Sequence, residues 1–179
     1  MICDLAIARD LQLVGPTADY VGALCKRMLG DDALASRILV AAYELLENTI
    51  HYSSGPARAR IRLWIDRPLD GSCRLVLETR NQPRPECLQK LVHLLTEMKG
   101  AANPHAFYQT LLHRTAKTTE GSGLGLGRIH AEAEMDVSCE VDGDTVHLRA
   151  EARIDQHTSG IVMTSQQTQH EDEKGQRTA

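Results

Sequence analysis

The chain has 179 residues and a formal net charge of −4, enough sequence for one domain around a single core. That acidic balance gives no basic footprint for nucleic-acid binding, and no apolar run approaches the roughly 18 residues of a membrane span. Aromatic residues make up 3% of the chain, so the core must rest on Leu, Ile, Val, Ala and Met.

The N-terminus, Met1-Ile2-Cys3-Asp4-Leu5, lacks the charged-then-apolar pattern of a secretory leader. Five dispersed cysteines (Cys3, Cys25, Cys73, Cys87 and Cys139) form no C-x-x-C pair, which predicts reduced thiols in a cytoplasmic protein and no zinc site. Residues 3–14 contain one edge strand, ending at Gly15-Pro16. Thr17 then caps a helix running to about Leu29, with Tyr20, Val21, Leu24, Cys25 and Met28 on its apolar face. Gly30 closes that helix, and Asp31 or Asp32 caps a second one to about Ser53, stopped by Gly55-Pro56.

This second helix is apolar nearly all round between Ile38 and Leu46, so it packs on more than one side. Within it Glu44, Asn48 and His51 stand at i, i+4 and i+7, one polar stripe on a buried helix. Buried polar groups need partners. The stripe either caps a neighbouring segment or faces a cavity holding a ligand and metal. In the second case an Asn oxygen suits Mg²⁺ and a Glu one turn earlier suits a general base.

Residues 58–65 alternate Arg58, Arg60 and Arg62 with Ala59, Ile61 and Leu63, a half-buried strand with a basic outer face. That face is either solvated or a docking surface for an acidic partner. A turn at 68–71 leads to a second strand, Cys73 to Asn81. Leu88, Leu91, Val92, Leu95 and Met98 mark an amphipathic helix over 86–98, broken by Gly100 to Pro104. A shorter helix follows over 105–113. The polar stretch 113–120 carries Arg114 and Lys117, either exposed loop cations or clamps for phosphate charge.

Next comes Gly121-Ser122-Gly123-Leu124-Gly125-Leu126-Gly127, then a helix from Arg128 to Met135. Alternating glycines cost about 0.5–1 kcal/mol each against alanine in a regular element. They are reasonable where backbone N–H groups approach a phosphate at a helix N-terminus, or in a tight packing corner. Two strands over 136–141 and 145–152 flank Asp142-Gly143-Asp144, a hairpin signal. Residues 155–179 are polar apart from Ile161-Val162-Met163 and read as a disordered tail to a domain spanning 1–154. His157 and His170 there, like His147, lack metal spacing.

Two stretches together carry a family resemblance. Glu44-x-x-x-Asn48-x-x-His51 resembles the N-box of the GHKL ATP-binding superfamily, and Gly121-Ser122-Gly123-Leu124-Gly125-Leu126 resembles its second glycine box. Order and separation fit over roughly residues 10–154. The layout is similar to stand-alone bacterial serine/threonine kinases of partner-switching pathways, the anti-sigma-factor kinases and SiaB-like kinases. The helical insertion before the glycines favours the latter.

The resemblance implies an α+β fold, a two-layer sandwich of a mixed, mostly antiparallel sheet covered by helices (the Bergerat fold). It implies ATP and Mg²⁺ as cofactors and a regulatory protein substrate of the partner-switching type, with homodimerisation through the sheet as one option. Glu44 would be the catalytic base and Asn48 the metal ligand. Asn81, Lys117, Gly121, Ser122, Gly123, Leu124, Gly125 and Leu126 would complete the nucleotide site. The family's Asp-x-Gly-x-Gly box, whose Asp contacts adenine, is replaced by Thr79-Arg80-Asn81-Gln82-Pro83-Arg84-Pro85. A degenerate, non-catalytic protein-binding domain is therefore the alternative. A histidine phosphotransfer bundle using His51 is a third reading, requiring four long helices and no sheet.

Overall fold

The structure is a computed structural model that describes residues 1–54, 58–67, 72–115 and 123–154. Five strands form one sheet: β1 (Cys3–Ile7), β2 (Ala59–Asp66), β3 (Arg74–Asn81), β4 (Asp136–Asp142) and β5 (Thr145–Arg153). Their order is β1-β2-β3-β5-β4, with every pairing antiparallel. The helices are α1 (Val14–Leu29), α2 (Asp32–Tyr52), α3 (Pro85–Gly100), α4 (Pro104–Thr115) and α5 (Leu124–Ala131). This is an α+β sandwich, and its sheet excludes a four-helix phosphotransfer bundle. The expected mostly antiparallel sheet is, among the described residues, antiparallel at each of its pairings. Among the described residues, no helix is long and apolar enough to cross a membrane.

Strand periodicity assigns the two faces. Ile61, Leu63, Leu75, Leu77, Leu148, Ala150 and Ala152 join the core with Ile38, Leu45 and Leu46 of α2 and Val14, Val21 and Cys25 of α1. Helix α2 runs between α1, β3 and α5, which explains its nearly continuous apolar sequence. Gly22 lets α1 approach closely, since a Cβ there would lie 3.0 Å from Leu39 Cβ.

The other face carries the alternating charges. Register aligns Asp4, Arg62, Glu78, Arg149 and Ser138 in one row across five strands. Glu78 is 1% exposed, with Oε1 accepting from Arg80 Nε at 2.9 Å and Oε2 from Arg149 Nε at 2.8 Å. Arg62 lies 4.0 Å from the same carboxylate and pairs with Asp4, which also takes a two-pronged contact from Arg60. Arg60 and Arg62 of the basic strand are thus engaged within the sheet.

Two boundaries differ from the sequence reading. Asp10 accepts from the Gln12 N–H and starts a 3₁₀ turn over Leu11–Leu13, which leads into α1 three residues before Thr17. Pro16 is tolerated in that first turn, and Thr17 donates back to the Leu13 carbonyl. Helix α5 begins inside the glycine run and stops at Ala131, short of Met135. There Glu134 turns to φ 49°, and Arg37 donates to the carbonyls of Ala133 and Glu134, both at 2.6 Å.

Candidate functional site

The polar stripe of α2 follows from the helix itself. Asp31 accepts the Leu34 N–H at 2.9 Å and fixes the start. Three to five turns later, Glu44, Glu47, Asn48 and His51 emerge on one side. Opposite them stands the N-terminal end of α5, capped by Gly123 in the left-handed conformation at φ 62°.

The described glycines have separate reasons. Gly123 takes a backbone angle that side chains resist, and the Leu94 methyl of α3 occupies the place of its missing Cβ. A Cβ on Gly125 would lie 2.5 Å from Glu44 Oε2 and 3.4 Å from Asn48 Nδ2. A Cβ on Gly127 would meet Leu111 Cδ1 at 2.7 Å and Tyr108 at 3.1 Å. Thus Gly127 admits α4, whereas Gly125 admits the polar side chains of α2. Only the latter concerns the site.

Glu44 is 7% exposed. Its Oε1 accepts from Arg128 Nη1 at 3.1 Å, and the same guanidinium donates through Nε to Glu132 Oε2 at 2.7 Å. Burial pushes the Glu44 carboxyl above the ordinary glutamate range, and Arg128 offsets only part of that rise. The Asn48 side-chain nitrogen is buried and, among the described residues, has no hydrogen-bond acceptor. His51 is half exposed, its Nε2 3.9 Å from Glu47 Oε1.

Two adjoining cavities meet here, sharing Asn48, Tyr52, Arg84 and Gly123 as wall. One, about 750 Å³, is polar, with Glu44, Glu47, His51, Glu132 and Arg128 around it. The other, about 650 Å³, runs under α3 and α4 and is largely apolar, with Leu91, Leu94, Leu126, Val146 and Leu148 beside Asn81. Among the described residues, no group of three or more His, Cys, Asp or Glu is arranged to hold a metal ion. A cation in the polar cavity would need oxygens from a ligand as well as from Asn48.

Of the residues expected at the site, Glu44, Asn48, Gly123, Leu124 and Gly125 come together around the polar cavity. Asn81 and Leu126 stand on the wall of the apolar one, where Leu126 contributes a buried side chain. Lys117, Gly121 and Ser122 lie outside the described residues, as do the 68–71 turn, Gly55-Pro56 and the 155–179 tail. Arg114, the other candidate clamp, donates to Glu97 of α3 at 3.0 Å. Arg128, Tyr52 and Arg84 were not anticipated. Arg128 is masked in the sequence because Glu132, at i+4, supplies an ordinary helix-surface explanation for it.

No family model matches this chain, and no curated protein matches it. Among solved structures, a chain in the crystal structure of the SiaB-SiaC complex from Pseudomonas aeruginosa is similar, with a TM-score of 0.53 and 14% identity. The match covers 86% of this chain and 90% of that one. At that identity the likeness is one of fold.

Proposed function

We propose that the chain is an ATP- and Mg²⁺-binding regulatory protein of the GHKL type, acting as a serine/threonine kinase on a partner-switching protein. The observation that carries this reading is the buried Asn48 amide nitrogen, without an acceptor among the described residues, beside Glu44 and the glycine-box helix where two cavities join. A buried donor without an acceptor costs about 1–3 kcal/mol, which a phosphate oxygen at this place would recover. Turned over, the same amide offers its oxygen, a hard ligand suited to Mg²⁺.

Charge supports the cation. The polar cavity is bordered by three carboxylates (Glu44, Glu47, Glu132) against two guanidiniums (Arg84, Arg128). A bare polyphosphate would add to a negative excess, which a divalent ion relieves. The apolar cavity suits a purine, and the Asn81 amide offers both a donor and an acceptor to a ring edge. Bound Mg²⁺ would supply charge neutralisation on the phosphates. Glu44, made more basic by burial that raises its carboxyl above the ordinary range, would as the carboxylate orient and accept the proton of the partner's hydroxyl. A protein partner is supported by the similar chain having been crystallised in a complex, SiaB-SiaC.

Calorimetric titration of MgATP into the protein and into Asn48→Ala tests the reading. Magnesium-dependent binding that the variant loses is expected; no binding at millimolar MgATP would sink it. The alternative, a non-catalytic protein-binding module, draws on the Asn81-Gln82-Pro83-Arg84 stretch standing where the family carries its adenine-contacting Asp. It predicts partner binding that neither nucleotide nor Glu44→Gln alters.

A further inference from the structure

Arg128 is the cation best placed to answer a ligand in the polar cavity, yet it is engaged with the residue read as the base. It stands in the second turn of α5, three residues after Gly125, with its side chain 43% exposed. Its guanidinium holds Glu44 Oε1 at 3.1 Å, while Glu44 Oε2 lies against the space over Gly125. The carboxylate therefore turns both oxygens toward the glycine-box helix. A second carboxylate, Glu132, keeps the Arg128 Nε occupied from the rim. All of these groups border one cavity.

Arginine binds phosphate and carboxylate with the same planar fork, so the two anions compete for one donor set. Glu44 is buried on a packed helix, with its side chain 9% exposed, whereas the Arg128 side chain is 43% exposed and reaches the solvent side of the pair. We propose that Arg128 is the phosphate-contacting cation of this site and that Glu44 is its resting partner, so that arrival of a nucleotide's phosphates draws Arg128 away and leaves Glu44 unpaired. Before that exchange the arginine holds the carboxylate off a hydroxyl or water. Afterwards the carboxylate faces the cavity beside the anion. Arg128 is a binding residue in this scheme, and it is a positioning residue for Glu44. The inference rests on the nucleotide reading above and deepens it.

The test is calorimetric titration of MgATP and, separately, adenosine into the wild type, Arg128→Gln, Arg128→Lys, Glu44→Gln and the Arg128→Gln/Glu44→Gln double variant. Losing one charge-assisted contact predicts MgATP binding about 10- to 100-fold weaker in Arg128→Gln, with adenosine unchanged. Arg128→Lys keeps the charge without the fork and should fall between. Glu44→Gln frees the arginine and should tighten MgATP several-fold, and that gain should vanish in the double variant. Plain repulsion between Glu44 and phosphate would also give a gain, but one that survives without Arg128. The proposal is therefore overturned if Arg128→Gln and Arg128→Lys bind MgATP like the wild type, or if the Glu44→Gln gain is the same in both backgrounds. A wild type that binds neither MgATP nor adenosine removes the nucleotide reading and the proposal together. A thermal melt of each variant excludes loss of fold as the cause.

Discussion

Two buried glutamates behave differently in this molecule. Glu78, in the middle of the sheet, is 1% exposed and accepts from two arginines, with a third at 4.0 Å and His147 Nδ1 at 3.6 Å. Burial alone would raise its carboxyl, but Arg149 and Arg80 hold it below the ordinary range. Glu44, in the helix layer, is nearly as buried and has one arginine, and its carboxyl sits above that range. A carboxylate surrounded by cations is a structural tie. One buried beside an orphan amide nitrogen and a cavity, and only partly compensated, is the kind of group from which functional carboxylates are drawn.

The sharpest way to break this contrast is to neutralise each in turn. Glu78→Gln strips the shared acceptor from arginines on both flanking strands and should destabilise by about 2–4 kcal/mol, less than a fully interior pair would lose because the guanidiniums can reach water. Glu44→Gln, relieved of a costly buried charge, should change stability by no more than about 1 kcal/mol. Urea unfolding of both variants measures this, and equal costs would erase the distinction. Acidity gives the same contrast with a sign. Because the folded state lowers the Glu78 pKa, its contribution is present above the ordinary glutamate range and lost as pH falls through the folded value. For Glu44 the folded value is raised, so its contribution is present at low pH and lost as pH rises through that value. Stability measured across pH 3–7, a range chosen about the roughly 4.3 of free glutamate, should therefore lose acid sensitivity in Glu78→Gln and gain it, relative to wild type, in Glu44→Gln.

The contrast was half legible in the sequence. Glu44 stood out because a carboxylate, a carboxamide and an imidazole at helical spacing interrupted an apolar helix, and the glycines stood out by their alternation. Glu78 was not singled out within the strand from Cys73 to Asn81, since its partners Arg62 of β2 and Arg149 of β5 are brought beside it only by register. Arg128 was hidden for a related reason. Its partner Glu132 is local, whereas Glu44 lies 84 residues away. The hairpins were read well because period and turn chemistry are local, and the start of α1 was not, because Asp10 began the turn earlier than Thr17. Lys117, Gly121 and Ser122 fall outside the described residues, so the far side of the glycine box rests on sequence alone.

The glycine box offers a finer separation of packing from site. Gly125→Ala forces a methyl against Glu44 Oε2, and Gly127→Ala forces one against Leu111 and Tyr108. Each should cost about 1–3 kcal/mol as overpacking. Only Gly125→Ala should also weaken MgATP in calorimetry, because only it displaces the carboxylate and crowds Asn48. Equal loss of affinity in the two would mean that the box acts through the general packing of α5 and not through Glu44.

The smallest effect expected is behind the site, at Arg37. Its guanidinium ties α2 to the exit of α5 through the carbonyls of Ala133 and Glu134, and so sets how the helix of Glu44 meets the helix of Arg128 from the end away from the cavities. Arg37→Ala removes two side-chain donors from carbonyls where the chain already turns through φ 49°, and should cost about 1 kcal/mol. Since Arg37 touches nothing in either cavity, its loss should leave adenosine binding alone and weaken MgATP no more than a few-fold. Hydrogen exchange should quicken at residues 131–135 and leave the Glu78 row of the sheet unchanged. Faster exchange in the sheet as well would mean that the helix layer and the charged face open together, and that the two glutamates belong to one cooperative unit.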